Sequence, residues 1–360
     1  MKKKLLAFVL CFVTFGGLFT GCAPRQKTAD VHVFYYTYSD TYISTVRAAL
    51  DKGFDEAGIS YQDYDSNNSQ TTQTEQVQTA VTKGAKLLLV NVVTTGSDDA
   101  ANGIVSLAKS VGIPVIFFNR EVSDSVVNSY DKCIFVGTDA AEAGRLQGDM
   151  IGDFLVKNYD SVDLNKDGKI SYVMFMGEKG NNEAIYRTRY SVENANKKLT
   201  AASRPELVFY DSANKDKFLL DKDGKWSAQA ANEYMTTALT TYNAANNNMI
   251  ELVICNNDNM AEGAITALLS AGYNTGAEGS TTIPVFGVDA IDAAKSLIQA
   301  GKMTGTVTQD GAAMAKCLQA ATQNVLNGKH LMENLGDYSV DETVAKVRIP
   351  YGIYTGNSNG

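Results

Sequence analysis

Gly112-Ile113-Pro114-Val115-Ile116-Phe117-Phe118-Asn119 and Thr282-Ile283-Pro284-Val285-Phe286-Gly287-Val288-Asp289 are two versions of one unit. Each follows a helix pattern ending near glycine, and each is a strand opened by proline and closed by one polar residue. Outward from this pair, strand and helix patterns alternate along the chain. Strands are expected over 31–37, 61–64, 86–93, 114–118, 133–137, 170–176, 206–210, 251–255, 284–287 and 304–308. Helices are expected over 42–57, up to 83, and over 98–111, 140–157, 183–199, 228–243, 260–272, 290–301 and 311–327. Repeated β-α alternation builds parallel sheets with helices on both faces. There are too many strands for one small sheet, so two similar α/β units are the natural reading. One long sheet is the alternative.

The ends of the 360-residue chain stand apart from that pattern. Lys2, Lys3 and Lys4 precede an apolar run from Leu5 to about Phe19, then Thr20-Gly21-Cys22. These are the parts of an export signal, residues 1–21, and Cys22 after Gly21 is similar to a bacterial lipidation site. The apolar run is short of the ~20 residues of a membrane span, and no other stretch is long and apolar enough. Residues 22–30 read as a polar tether. Losing residues 1–21 removes three lysines and no acid, taking the net charge from −8 to −11. An acidic chain without a basic patch is a poor nucleic-acid partner. Cys133, Cys255 and Cys317 are too few and too far apart for a disulfide framework. Cys133 and Cys255 sit in apolar strand runs and read as inert.

Asp163-Leu164-Asn165-Lys166-Asp167-Gly168-Lys169-Ile170-Ser171 has the spacing of the first three-quarters of an EF-hand loop. Asp163, Asn165 and Asp167 alternate as oxygen donors, Lys169 offers its backbone carbonyl, and Ser171 takes the ninth position. The twelfth is Met174, which has no carboxylate, and a strand pattern follows instead of a helix. A calcium ion here needs an acid from elsewhere in the chain. The alternative is an Asx-type acidic turn without metal.

Ligands of open α/β sheets sit outside the carboxyl ends of the strands. At those ends stand Asp40 and Tyr42, then Asn119, Arg120 and Glu121, then Asn181 and Glu183 with Arg187 one turn on. Asn256, Asn257 and Asp258 follow another strand, Asp289 the next, and Gln309 and Asp310 the last. Trp226, the only tryptophan, precedes a helix. Acids, amides and arginine forks match hydroxyls that both donate and accept, and flat rings match the apolar face of a pyranose. Each residue also has a plainer reading. Asp and Asn after strands cap helices, Arg187 can pair with Glu183 along a helix, and Trp226 can be core.

These residues, with the stretches D-L-N-K-D-G-K-I, F-F-N-R-E, V-G-T-D, C-N-N-D-N-M, I-P-V-F-G-V-D-A and R-I-P-Y, resemble the bacterial galactose/glucose-binding proteins of sugar ABC importers over residues 31–351. The resemblance implies an α/β type I periplasmic-binding-protein fold: two doubly wound parallel-sheet domains joined by a three-crossing hinge. The lobes would be residues 31–138 plus 310–347, and 139–309 plus 348–360, crossing near 137–139, 308–310 and 348–350. It implies that Glu251 completes a structural calcium site with Asp163, Asn165, Asp167, Lys169 and Ser171, where the family has glutamine in place of Ser171. It implies a monosaccharide held by Asp40, Tyr42, Asn119, Asn181, Glu183, Arg187, Trp226, Asn257, Asp289 and Gln309. Asp40 would accept from the hydroxyl that separates glucose from galactose, and Tyr42 and Trp226 would stack on the ring. Tyr42, Asn181, Glu183 and Gln309 stand where the family has phenylalanine, histidine, aspartate and asparagine, which leaves the preferred sugar open. The implied protein is a monomeric, non-enzymatic receptor, lipid-anchored at Cys22. Its partners would be an ABC permease and a chemoreceptor, not nucleic acid. The alternatives are an exported metal-dependent glycoside hydrolase, a receptor for another monosaccharide, and, with least support, a sugar-responsive repressor.

Overall fold

The computed structural model describes residues 29–336, 338–341 and 343–356. The expected signal, Cys22 and most of the tether lie outside them. The first half runs β1 (Val31–Tyr35), α1 (Thr41–Ala57), β2 (Tyr61–Asp65), α2 (Gln70–Thr82), β3 (Leu87–Val90), α3 (Asp99–Val111), β4 (Val115–Phe118), α4 (Asp124–Asn128) and β5 (Cys133–Gly137). Then come α5 (Ala140–Val162), β6 (Ser171–Met176), α6 (Asn182–Ala201), β7 (Val208–Phe209), β8 (Leu219–Leu220), α7 (Ala228–Leu239), β9 (Leu252–Cys255), α8 (Asp258–Ser270), β10 (Val285–Asp289), α9 (Asp292–Gln299) and β11 (Gly305–Gln309). The chain closes with α10 (Gly311–Leu326), β12 (Ser339–Asp341), β13 (Lys346–Arg348) and β14 (Tyr351–Tyr354).

Two sheets form, ordered β12-β13-β5-β4-β3-β1-β2 and β14-β11-β10-β9-β6-β7, with β8 also paired to β6. The inner strands are parallel and buried on both faces, so they are near-continuous Val, Ile, Leu and Phe. The two sequence-related strands, β4 and β10, occupy the same place, fourth from the β2 and β7 edges. Both sheets are parallel through their interior, as the β-α alternation implies, and each ends in one antiparallel edge strand. β13 extends the first sheet and carries an antiparallel β12, while β14 pairs antiparallel with β11. Each sheet is sandwiched by its own pair of apolar clusters, one per face.

The chain passes from the first sheet to the second after β5, returns after β11 into α10, which packs on α1, and passes again between β13 and β14. These are the three crossings. Cys133, Cys255 and Cys317 are free and buried, and burial pushes the Cys133 and Cys317 thiols up to about 12. Among the described residues no helix is long and apolar enough to cross a membrane.

Candidate functional site

Between the lobes lies a cleft with about 360 Å³ of space, the solvent at its mouth included. All ten residues anticipated for a sugar line it: Asp40, Tyr42, Asn119, Asn181, Glu183, Arg187, Trp226, Asn257, Asp289 and Gln309. Tyr36 and Arg120 complete the wall. Five of the twelve come from strand ends of the first lobe and the rest from the second lobe and its crossing.

The capping and site readings of the strand-end residues turn out to be compatible. Asp40 Oδ1 accepts from Ile43 N at 2.7 Å at the start of α1, and its Oδ2 accepts from the Tyr36 hydroxyl at 2.6 Å. Asn181 caps α6 through Ala184 N and donates across the cleft to Thr95 Oγ1 at 3.2 Å. Asn257 caps α8 through Met260 N at 2.9 Å. Three helix N-termini therefore face one cavity, and their free amides favour the acids gathered there. Behind Asn119, buried Asn91 donates to Phe118 O and Asn119 Oδ1, both at 3.1 Å, and fixes the end of β4.

Trp226 takes a left-handed φ of 54° and packs onto Gly177, where a Cβ would lie 2.1 Å from the indole. Only glycine allows that approach. Tyr42 lines the cavity with its ring buried and its hydroxyl 3.8 Å from Met314 Sδ.

Charge is concentrated here. Glu183 is 5% exposed, and neither of its carboxylate oxygens has a hydrogen-bond partner in the protein. Burial raises its pKa, with Arg187 pulling the other way. Burial likewise pushes Asp289 well above the ordinary carboxylate range, again against Arg187, whose Nη1 lies 3.8 Å away. An ionised, unpartnered carboxylate is costly to bury, so Glu183 is built to receive donors. Arg120 bridges the lobes: its Nη2 donates to Val93 O at 2.8 Å and to both oxygens of Glu178 at 2.9 and 2.7 Å. The Trp226 indole also donates to Glu178, at 3.3 Å.

Residues of the three crossings bond to one another and to the cavity. Thr138 and Tyr351 hydroxyls lie 2.7 Å apart, and Gln309 Nε2 donates to Thr138 Oγ1 at 3.3 Å. Arg187 Nη2 donates to Gln309 Oε1 at 3.0 Å and to the Tyr351 hydroxyl at 3.1 Å. One arginine thus touches both the cavity and the hinge.

Away from the cavity, Glu251 reaches the 163–171 loop. It is fully buried, and it accepts from Leu164 N at 2.7 Å, Asn165 N at 3.2 Å and Ser171 N at 2.9 Å. Asp163 accepts from Asp167 N at 3.1 Å and Gly168 N at 3.0 Å, and Asp167 from Lys169 N at 2.9 Å. Among the described residues no three Asp, Glu, His or Cys side chains gather on one point. A cation here would also draw on the Asn165 amide oxygen and backbone carbonyls. The Ser171 hydroxyl donates to Met249 O, which leaves it lone pairs alone to offer. The donor set is all hard oxygen, and burial, with the nearby Asp163 adding to it, raises the Glu251 pKa in the absence of a cation. Both facts fit calcium.

Sequence reasoning left out Tyr36, Glu178, Thr138 and Tyr351, and noted Arg120 without placing it in the site. Arg120 and Tyr36 directly follow strand ends, the same signal that found Asn119 and Asp40. Tyr351 is placed by a pairing of β14 that local patterning does not reveal.

Residues 31–330 match the family described as periplasmic binding protein domain. The chain is 36% identical over 354 residues, covering 98% of it and 96% of the relative, to the D-galactose/methyl-galactoside binding periplasmic protein MglB of Haemophilus influenzae. It is 27% identical over 259 residues, 72% of each chain, to a putative rhizopine-binding protein of Rhizobium meliloti. In fold it is similar to an ABC transporter solute binding protein from Clostridium phytofermentans, solved with bound β-D-glucose. The TM-score is 0.70 at 20% identity, covering 91% of this chain and 94% of that one.

Proposed function

Since the chain belongs to the periplasmic binding protein family, we propose that it is an exported receptor that binds a hexose, glucose or galactose, between its lobes and hands it to an ABC importer. The observation that carries this reading is the enclosed cavity with three acids, amides, two arginines and Trp226, including a buried Glu183 with both oxygens free. Each sugar hydroxyl there can donate to an acid and accept from an amide or arginine. The site binds and releases its ligand without chemistry. The 36% identity to a galactoside-binding protein supports the sugar class.

Two further elements belong to the same proposal. Glu251 and the 163–171 loop hold a structural Ca²⁺, remote from the sugar. Cys22 carries a lipid that tethers a monomeric receptor to the membrane, from which it meets the permease and a chemoreceptor.

Calorimetric titration with D-glucose, D-galactose and the common aldopentoses tests the reading. Binding of an aldohexose at micromolar Kd or tighter, about −8 kcal/mol or better, is expected. No heat with any aldohexose would overturn it.

A further inference from the structure

Behind the cavity wall lies a further carboxylate, Asp258, that does not line it. It is completely buried at the first position of α8, next to the cap Asn257. Its Oδ1 accepts from Thr306 Oγ1 at 2.6 Å and its Oδ2 from Ile291 N at 3.0 Å. Thr306 Oγ1 in turn accepts from Ala290 N at 3.4 Å. Space has been cleared for this carboxylate: a Cβ on Gly287 would stand 2.2 Å from its Oδ1.

What these bonds hold is unusual. Asp289 has φ 121° and Ala290 has φ 55°, two successive non-glycine residues in conformations that side chains disfavour. Such residues are strained and persist only where their surroundings over-determine them. The strain turns the chain sharply at the last residue of β10, the one that carries the cavity carboxylate of Asp289. Left to itself, that end would relax toward ordinary extended backbone and carry Asp289 with it. Asp258 is the anchor on the far side of the turn.

We infer that Asp258, with Thr306, is a positioning pair that fixes the strained Asp289–Ala290 turn and thereby aims the Asp289 carboxylate at the ligand. This rests on the proposed sugar site. An asparagine can reproduce the geometry, since its Oδ1 accepts from Ile291 N and its amide donates to Thr306 Oγ1. An alanine cannot, and Thr306→Val removes the other half of the pair at nearly constant shape.

The test titrates D-glucose and D-galactose into the full chain and into Asp258→Ala, Asp258→Asn and Thr306→Val, each also combined with Asp289→Ala. Thermal melting is followed in parallel. Asp258→Ala and Thr306→Val are expected to weaken binding at least tenfold, and Asp258→Asn no more than about threefold. In the Asp289→Ala background the first two should add nothing, because the group they aim is gone. Unchanged affinity in Thr306→Val, or the same loss with Asp289 already removed, overturns the inference. If Asp258→Ala does not fold, Thr306→Val and Asp258→Asn decide it. Failure of the unsubstituted chain to bind either sugar would instead overturn the proposed function.

Discussion

Arg120 Nη2 of the first lobe lies 2.7 Å from Glu178 Oε2 of the second, with side-chain exposures of 4% and 18%. This is an ion pair that exists only while the lobes are together. Burial works against the Arg120 charge, and Glu178, first among its neighbours, more than restores it. In an open state both groups return to water. Glu178→Ala leaves a buried, half-satisfied guanidinium in the closed state alone, a penalty of about 1.5–3 kcal/mol. The expected result is a 10- to 100-fold weaker Kd for the hexose and a larger radius of gyration by small-angle scattering in ligand-free solution. Equal affinity to the parent chain would contradict it.

Tyr351→Phe should act through the hinge. The substitution removes a hydroxyl that lies 2.7 Å from Thr138 Oγ1 and 3.1 Å from Arg187 Nη2. Losing one such group costs about 1 kcal/mol, so binding should weaken by roughly five- to tenfold with little change in melting temperature. A tight, parent-like Kd would show that the hinge network does not reach the site.

Glu183 sets a pH dependence. Burial raises its pKa in the closed, ligand-free cavity. Two hydroxyls donating to its oxygens favour the ionised form, so ligand binding releases a proton when the carboxyl is protonated. Affinity should therefore fall as pH drops from neutral into the acidic range, and Glu183→Gln should bind more weakly but lose that slope. Titrations at several pH values, with proton release read from buffers of different ionisation enthalpy, decide it.

Asp63 gives a stability signature remote from the cavity. Burial, and then the neighbouring Asp51 carboxylate, push Asp63 up to about 8, with Arg47 opposing. A folded pKa above the ordinary 3.8 means the native state holds a proton that the unfolded chain releases. Stability from this group is full below pH about 4 and is lost as pH rises toward about 8. Asp63→Asn should flatten that part of the curve and raise stability at mildly alkaline pH. Urea melts across the window would show it, and an unchanged slope would refute it.

Chelation tests the calcium proposal. Removing the ion leaves the buried Glu251 carboxylate near Asp163 with only loop amides to hold it. The melting temperature should drop by several degrees, with restoration by Ca²⁺ following the linkage expected of a ligand for the native state. Glu251→Ala should cost about 2–3 kcal/mol, since three loop amides lose their acceptor, and should abolish the chelator's effect. A chelator-insensitive parent protein would remove calcium from the account.

Much of this was legible in the chain because buried parallel strands write themselves as short apolar runs. β4 and β10 announce themselves through Pro114 and Pro284, and the polar residue closing each lies at the cavity. Boundaries failed where tertiary contacts override local pattern. α5 runs to Val162, beyond the polar residues after Lys157, because Tyr159 and Val162 are buried against the second sheet. α9 starts only at Asp292, since Ala290 is held at positive φ. β8, β12, β13 and β14 have two to four residues each; partners far off in sequence define β8, β13 and β14, and β12 exists only by pairing with β13. For the site, residue type and strand-end position were enough to collect the wall. The bonds linking Arg120 to Glu178 and Tyr351 to Thr138 join distant stretches, and no spacing rule contains them.

β13 and β14 carry one more consequence. The stretch after α10 supplies a strand to each sheet, and α10 comes back to cover α1. Neither sheet is complete until residues 346–354 have joined it, so folding depends on closing contacts between stretches far apart in sequence. A chain truncated before Lys346 would keep two of the three crossings but leave β5 and β11 each with an unpaired edge.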